Sequence, residues 1–375
     1  MKVLRVVTLL FFALTSLLVF VKLFIYSQHE GMFDPRGGEA EGRRLLPAPA
    51  RELGSFFSLQ GSSNTICPSI RSSDWVEFDF PPHPRKPAGN ETSIWVGVMV
   101  NDEVEMLRLL LEMYSKTVTG VVVVQSRHTL SNRRKNLSIT RDDIRFAPFR
   151  DFFYLVSIDG RAEGFQYWEN EALQRCAIGN VGFKKLPIQD SDAVLVTDVD
   201  EIVKPEVLAK MSSSIRHNQA VTFCLTWHFS HFGRVLESGC KTVRGLVSGS
   251  FLKNMLQYNT NAVRNVAANP NNKHAEEISV GSGPGRTCER AGNIVGWHCS
   301  WCFGSAEEYG NKMKSFAHSE MSPSASNPDL IRDMMCQGKW VTGGVHGMEL
   351  DCSIPPIQLP DYFHAWKKNC SKGSP

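Results

Sequence analysis

Ile94-Trp-Val-Gly-Val-Met-Val100, the segment Asn101-Asp-Glu-Val-Glu-Met-Leu107 after it, and the run Val121-Val-Val-Val124 together decide the fold class. Residues 94–100 are apolar at every position, too short for a buried helix and too continuous for a strand with one face in water. Residues 103–116 place Met106, Leu107, Leu110, Leu111 and Tyr114 on one side at helical spacing. Residues 121–124 are β-branched throughout, so strand, helix and strand follow within about 30 residues. That is a βαβ unit, whose crossover forces a parallel pairing, and parallel strands are buried on both faces. The spacing therefore predicts an α/β fold.

Outward from this unit, residues 152–158 read as a third strand, residues 169–178 as a helix and residues 193–197 as a fourth strand. A further helix is expected beyond Lys204, with Pro205 in its first turn. The fourth strand runs directly into Asp198-Val-Asp-Glu201. Carboxylates thus stand at the C-terminal edge of a buried sheet, where open α/β folds place their ligands. Alternate residues of an extended segment point the same way, so Asp198 and Asp200 are expected to face one cation. Three adjacent acids repel one another unless a cation or hydrogen bonds offset the charge. Hard oxygen ligands suit Mg or Mn, with water and diphosphate oxygens completing the shell. The bland alternative is a solvated turn whose Asp caps the next helix. The Asp-x-Asp pattern alone decides nothing, since Asp190-Ser-Asp192 carries it too.

Trp297-His-Cys-Ser-Trp-Cys302 packs two indoles, an imidazole and a Cys-x-x-Cys into six residues. Zinc needs a second ligand pair that the sequence does not offer, and a redox motif needs a thioredoxin-like setting. The expectation is two structural cysteines, each pairing with a partner elsewhere, with Trp297 and Trp301 as core residues or a sugar-stacking surface. His318-Ser-Glu320 follows Lys312 and Lys314 and offers acid/base or diphosphate-binding groups, or else a solvated helix face. Residues 259–285 read as a long mobile loop. There is no Gly-x-Ser-x-Gly elbow and no dinucleotide-binding glycine fingerprint, which argues against hydrolase and dehydrogenase chemistry.

The ends of the chain set its compartment. Residues 6–21 carry no charge, residues 23–26 prolong the apolar run past Lys22, and Lys2 and Arg5 precede it. A bilayer core of about 30 Å needs about 20 helical residues, and the positive-inside preference keeps Lys2 and Arg5 in the cytosol. A cleaved secretory signal is the alternative. The expected layout is a cytoplasmic tail at 1–5, a transmembrane signal anchor at 6–26, a Gly-, Pro- and Ser-rich stem at 27–92 and a lumenal domain at 93–375. Trp75 to Phe80 is a short apolar piece of that stem able to pack on the domain. All 10 cysteines follow the anchor, and sequons occur at Asn90, Asn136 and Asn369; both features suit the secretory pathway. A net charge of +3, from 41 basic and 38 acidic residues spread along 375, is too small for a phosphate-tracking surface, so nucleic acid is not an expected partner.

Taken in order, five blocks resemble glycosyltransferase family 17: residues 98–107, Trp168-Glu-Asn-Glu-Ala-Leu-Gln-Arg175, residues 194–202, Gly296-Trp-His-Cys-Ser-Trp-Cys-Phe303 and Lys314-Ser-Phe-Ala-His-Ser-Glu320. The resemblance covers roughly residues 94–366. It implies a type II Golgi membrane enzyme with a GT-A-like, Rossmann-like nucleotide-sugar transferase domain. The implied reaction is inverting, metal-dependent transfer of GlcNAc from UDP-GlcNAc to a β-linked mannose of a glycoprotein N-glycan. Another UDP-sugar or acceptor on the same fold, or a non-catalytic glycan-binding Golgi protein, are the alternatives. Asp198 and Asp200 match the family's metal-binding aspartates. By chemical type and position in the blocks, His298 completes the metal shell, Arg175 binds phosphate oxygens, and Glu320, with Glu201 next, is the catalytic base. The chain departs from the family at Gln125, where an acid is usual, and at Leu110 and near Asn170, where arginines are usual; these positions are expected to shape the donor pocket.

Overall fold

The structure is a computed structural model that describes residues 67, 76–81, 85, 92–160, 167–266, 276–280, 294–316, 327–337, 348–349, 361–364 and 370. The expected anchor at 6–26, most of the stem, His318 and Glu320 lie outside these residues. Among the described residues no helix is long and apolar enough to cross a membrane.

In chain order the strands are β1 (Val76–Asp79), β2 (Ile94–Val100), β3 (Gly120–Ser126), β4 (Phe153–Ile158), β5 (Ala193–Asp198), β6 (Glu201–Val203), β7 (Gln219–Phe229), β8 (His231–Ser248), β9 (Glu276–Val280), β10 (Gly296–Ser300) and β11 (Met348–Glu349). The α-helices are α1 (Val104–Tyr114), α2 (Tyr167–Ala177), α3 (Pro205–Ser212), α4 (Thr260–Val266), α5 (Ala306–Ser315) and α6 (Pro328–Gln337). The strands join one mixed sheet ordered β1-β4-β3-β2-β5-β8-β7-β10-β6, with β9 added to β7 and β11 to β8.

Its first half is the parallel unit that the sequence predicts. β2 pairs in parallel with β3 on one side and β5 on the other, and β3 with β4. Odd and even residues of these strands go to opposite faces: Val121 and Val123 join the cluster under α1, while Val122 and Val124 join Ala177, Ile178 and Phe183 on the other side. Two apolar faces are the reason for runs that are apolar at every position, and each fully buried side chain of this size stabilises the fold by about 1.5–3 kcal/mol. The second half is mixed: β8 returns antiparallel against β5 and β7, while β9 and β10 pair in parallel with β7. Val76–Asp79, from the short apolar piece of the expected stem, forms β1, which pairs antiparallel with β4.

Because β2, β3 and β5 run parallel, their C-terminal ends line one edge, with Met99 beside Asp198 and Val100 beside Gln125. α2 continues through a π turn, Ile178–Gly182. A side chain at Gly179 would collide with the Tyr258 carbonyl; its absence lets the segment leading into α4 dock on α2. Thr260 locks the contact: its hydroxyl accepts from Gly179 N at 3.1 Å and donates to the Arg175 carbonyl. Two arginines, one on each helix, are thereby brought to the sheet edge.

Candidate active site

The acidic segment is not an extended strand continuing past β5. β5 ends at Asp198, Val199 and Asp200 form a turn, and β6 begins at Glu201. No glycine or proline makes this turn; the Glu201 side chain does. Its Oε2 accepts from Asp198 N at 3.0 Å and lies 3.1 Å from Thr197 Oγ1. Neither aspartate caps the following helix, whose N-cap is Lys204, without a side-chain cap.

Asp198 is gripped from two sides. Arg175 Nη2 donates to Oδ1 at 3.1 Å and Arg264 Nη2 to Oδ2 at 3.0 Å. Arg264 also spans both oxygens of Glu201, with Nη2 3.0 Å from Oε1 and Nη1 bonded to Oε2. Burial alone would raise both carboxyls, but Arg264 and, for Asp198, Arg175 overcome it and hold them below the usual carboxylate range. Arg175 is further tied to Glu171 at 2.7 Å and Asn261 at 3.3 Å. It is engaged within the acidic network where a phosphate contact was expected. Glu201, expected as a possible base, has both oxygens bound and its side chain only 2% exposed.

Arg264 was missed because residues 259–285 read as a loop. The segment instead forms α4 and, at Glu276–Val280, strand β9, which pairs in parallel with β7. A seven-residue helix with only Val263 and Val266 as large apolar residues leaves no periodic signature. Asn259, whose Oδ1 accepts from Ala262 N at 2.8 Å, caps the helix and was the available hint.

Asp200 sits differently. Among the described residues, the side-chain nitrogens that face it are His298 Nε2 and Lys312 Nζ, each 3.8 Å away, beyond hydrogen-bonding distance. Burial pushes its carboxyl up, and Lys312 and His298 offset only part of that. Asp200 and Lys312 line a small pocket with Glu103, Trp301 and Tyr362. Lys312 is anchored by Glu103 at 2.7 Å, and Glu103 Oε2 accepts from Asn101 N and Asp102 N. His298 arrives on β10, paired opposite Glu201 and stacked on Trp227 at 5.9 Å. Its Nε2 is 3.0 Å from Ser300 Oγ, which accepts the Trp227 indole N–H. Of the expected ligands, then, Asp200 and His298 face each other while Asp198 is held by guanidiniums. Among the described residues, Glu103, Glu171, Asp198, Asp200 and Glu201 meet Arg175, Arg264 and Lys312: five carboxylates against three cations, a deficit of two charges.

The other sequence expectations resolve individually. Cys299 and Cys302 pair with each other, not with distant partners, and both border the Asp200 pocket. Trp297 and Trp301 are core residues, 2% and 4% exposed. Asp192 of the second Asp-x-Asp accepts from Trp95 Nε1 at 3.1 Å and Gln189 N at 2.7 Å, just before β5 starts, and is structural. Gln125, expected near the donor, spends its amide on the Ile139 backbone and Ser157. Leu110 is buried core beneath the sheet, and Asn170 donates to the Leu130 carbonyl. None of the three lines the Asp200 pocket.

Comparison with individual curated proteins gives no match. A family model described as glycosyltransferase family 17 matches residues 82–225 and 285–345, more than half of the chain, and takes in β2 through the acidic turn and the β10 cluster. The two matched segments carry Asp200 and its facing residues His298 and Lys312, and on that basis the chain belongs to glycosyltransferase family 17.

Proposed function

We propose that the protein transfers GlcNAc from UDP-GlcNAc to a β-linked mannose of an N-glycan, with inversion and with a divalent cation, as a type II membrane protein of the Golgi. Family membership supports a nucleotide-sugar donor and a glycan acceptor. The observation that carries the reading is Asp200, a carboxylate left without a hydrogen-bonded cation at the C-terminal edge of a parallel sheet. Among the described residues no three His, Cys, Asp or Glu side chains converge on one point. A cation that keeps its waters and substrate phosphates needs only one or two protein ligands. Asp200 and His298 fit that role, and the two-charge deficit of the network equals the charge of such an ion. When bound, it would neutralise the charge that develops on the departing diphosphate.

The chain's own residues do the rest. Lys312, fixed by Glu103, holds a positive charge beside Asp200. Glu201 serves the turn and not the proton, because Arg264 occupies both of its oxygens. In this reading Glu320, which lies outside the described residues, takes the proton of the acceptor hydroxyl; its position in the block 314–320 of the family resemblance supports that role. The departures at Gln125, Leu110 and Asn170 lie in structural roles and give no support to a purely glycan-binding protein. Full-length protein in detergent, given UDP-GlcNAc and an N-glycan bearing a β-linked mannose, is expected to form a product heavier by one GlcNAc, to stop with EDTA, and to lose turnover as Asp200→Asn. Intact donor across several UDP-sugars, with the glycan still bound, would abandon the transferase in favour of a binder.

A further inference from the structure

Arg264 touches two of the three acids of the turn, and no role in the site was foreseen for it. One guanidinium nitrogen, Nη2, is 3.0 Å from both Asp198 Oδ2 and Glu201 Oε1, while Nη1 bonds Glu201 Oε2. Arg175 closes the remaining oxygen of Asp198. With all four oxygens of Asp198 and Glu201 taken, the backbone between them has its side chains pinned at both ends. Asp200, in the middle, is the acid turned to the pocket that Lys312 shares. The clamp is itself built in: α4 is docked on α2 through Thr260 and Gly179, and Asn261 contacts Arg175.

We propose that Arg264 is a positioning residue of the donor site: by holding Asp198 and Glu201 together it sets the turn that presents Asp200 to the cation of the nucleoside diphosphate. This rests on the transferase assignment above. Geometry and charge make opposite demands here, which renders the proposal testable. If Arg264 mattered only as a positive charge, removing it from beside three carboxylates would tighten a divalent cation. If it matters as a clamp, removing it lets Asp198 and Glu201 swing and weakens the cation. Lysine keeps the charge but lacks the planar fork that spans two carboxylates.

The experiment uses the full chain in detergent as the parent, Arg264→Lys and Arg264→Ala. MnCl2 alone is titrated calorimetrically, and kcat and KM are measured separately with UDP-GlcNAc. Arg264→Lys is expected to lose about 10–100-fold in Mn affinity and in kcat, the usual cost of removing a partner that orients a ligand. Millimolar guanidinium ion is expected to restore both in Arg264→Ala and to leave Arg264→Lys unchanged. Parental constants in Arg264→Lys, or tighter Mn binding by a folded Arg264→Ala, would overturn the proposal. Should Arg264→Ala fail to fold by near-UV circular dichroism, Arg264→Lys decides alone. A parent inert toward every UDP-sugar, with the Mn loss and rescue intact, sinks the transferase assignment and leaves the clamp standing. An active parent with an indistinguishable Arg264→Lys does the reverse.

Discussion

Asp198, Asp200 and Glu201 fall within four consecutive positions, yet each meets a different electrical setting. Two guanidiniums hold Asp198, one holds Glu201, and Asp200 has only the looser company of Lys312 and His298. The sequence announces three acids at a strand end, because hydrophobicity stops there. It does not announce which of them is spoken for, since the arginine that decides it lies more than 60 residues away. His228 shows the same limit and carries a separate prediction. It looks like any histidine in a strand, but it is fully buried beside Phe232, and burial lowers its pKa to about 3. The folded chain therefore keeps it neutral where the unfolded chain takes up a proton near 6.5, so stability falls as pH drops below that value. Between pH 7.5 and 5.5 this one group is expected to remove about 1.4 kcal/mol. Urea unfolding of the parent and of His228→Leu at both pH values checks it. Equal losses in the two proteins would mean that His228 is protonated in the fold.

Elements divide into those whose own period specifies them and those specified by neighbours. β2, α1, β3 and β4 fall where the apolar pattern puts them, within one or two residues, because each buries its own regular face. α5 was also open to a local reading: Ser305 is its N-cap, accepting from Glu308 N and donating its hydroxyl to Glu308 Oε2 at 2.9 Å, and the Ser-x-x-Glu spacing is written in the residues themselves. What α5 does with its charges was not legible, since Lys312 turns inward to Glu103, the N-cap of α1, instead of outward to water. That pair predicts a stability effect at the level of the element. The side chains of Lys312 and Glu103 are 17% and 10% exposed, and removing one partner of so buried a pair typically costs about 3 kcal/mol or more. Lys312→Met is expected to show such a loss in denaturant, and adding Glu103→Gln to recover most of it. Burial works against the Glu103 charge, but Lys312 prevails and lowers its pKa below 4.5. The pair's stabilisation is therefore present above 4.5 and lost as pH falls through the depressed value, and Lys312→Met should lack that acid limb. A Lys312→Met protein as stable as the parent at neutral pH would show that the ion pair contributes nothing to seating α5.

At the scale of the whole molecule, the parallel half of the sheet, β2 to β5, was readable and the mixed half built around β7 and β8 was not. Parallel pairing leaves a signature of doubly buried runs, whereas β8, at Ser248 and Val247 against β5, is placed by long-range pairing that no local pattern encodes. Two of the disulfides are equally non-local: Cys67 reaches Cys176 across 109 residues and Cys336 reaches Cys370, and among the described residues no cysteine is free. Disulfides persist in oxidising compartments and are rare in reducing ones, so the proposed lumenal placement is open to test. Asn136 supplies an independent check. It is exposed, in Asn136-Leu-Ser138, on the segment between β3 and β4, and Ser138 Oγ is 3.3 Å from the Asn101 carbonyl at the rim of the site. An acceptor asparagine must meet the glycosylation machinery in the lumen and must tolerate a bulky product on the folded surface; Asn136 meets the second condition by its exposure. Full-length protein made in secretory cells is therefore expected to lose the mass of an N-glycan on amidase treatment, and Asn136→Gln to lose one such increment before treatment. If the parent carries no glycan and its cysteines react with maleimide in intact cells without added reductant, the domain faces the cytosol. The type II layout, and with it the Golgi placement, would then fall while the fold and the acidic turn remained as they are.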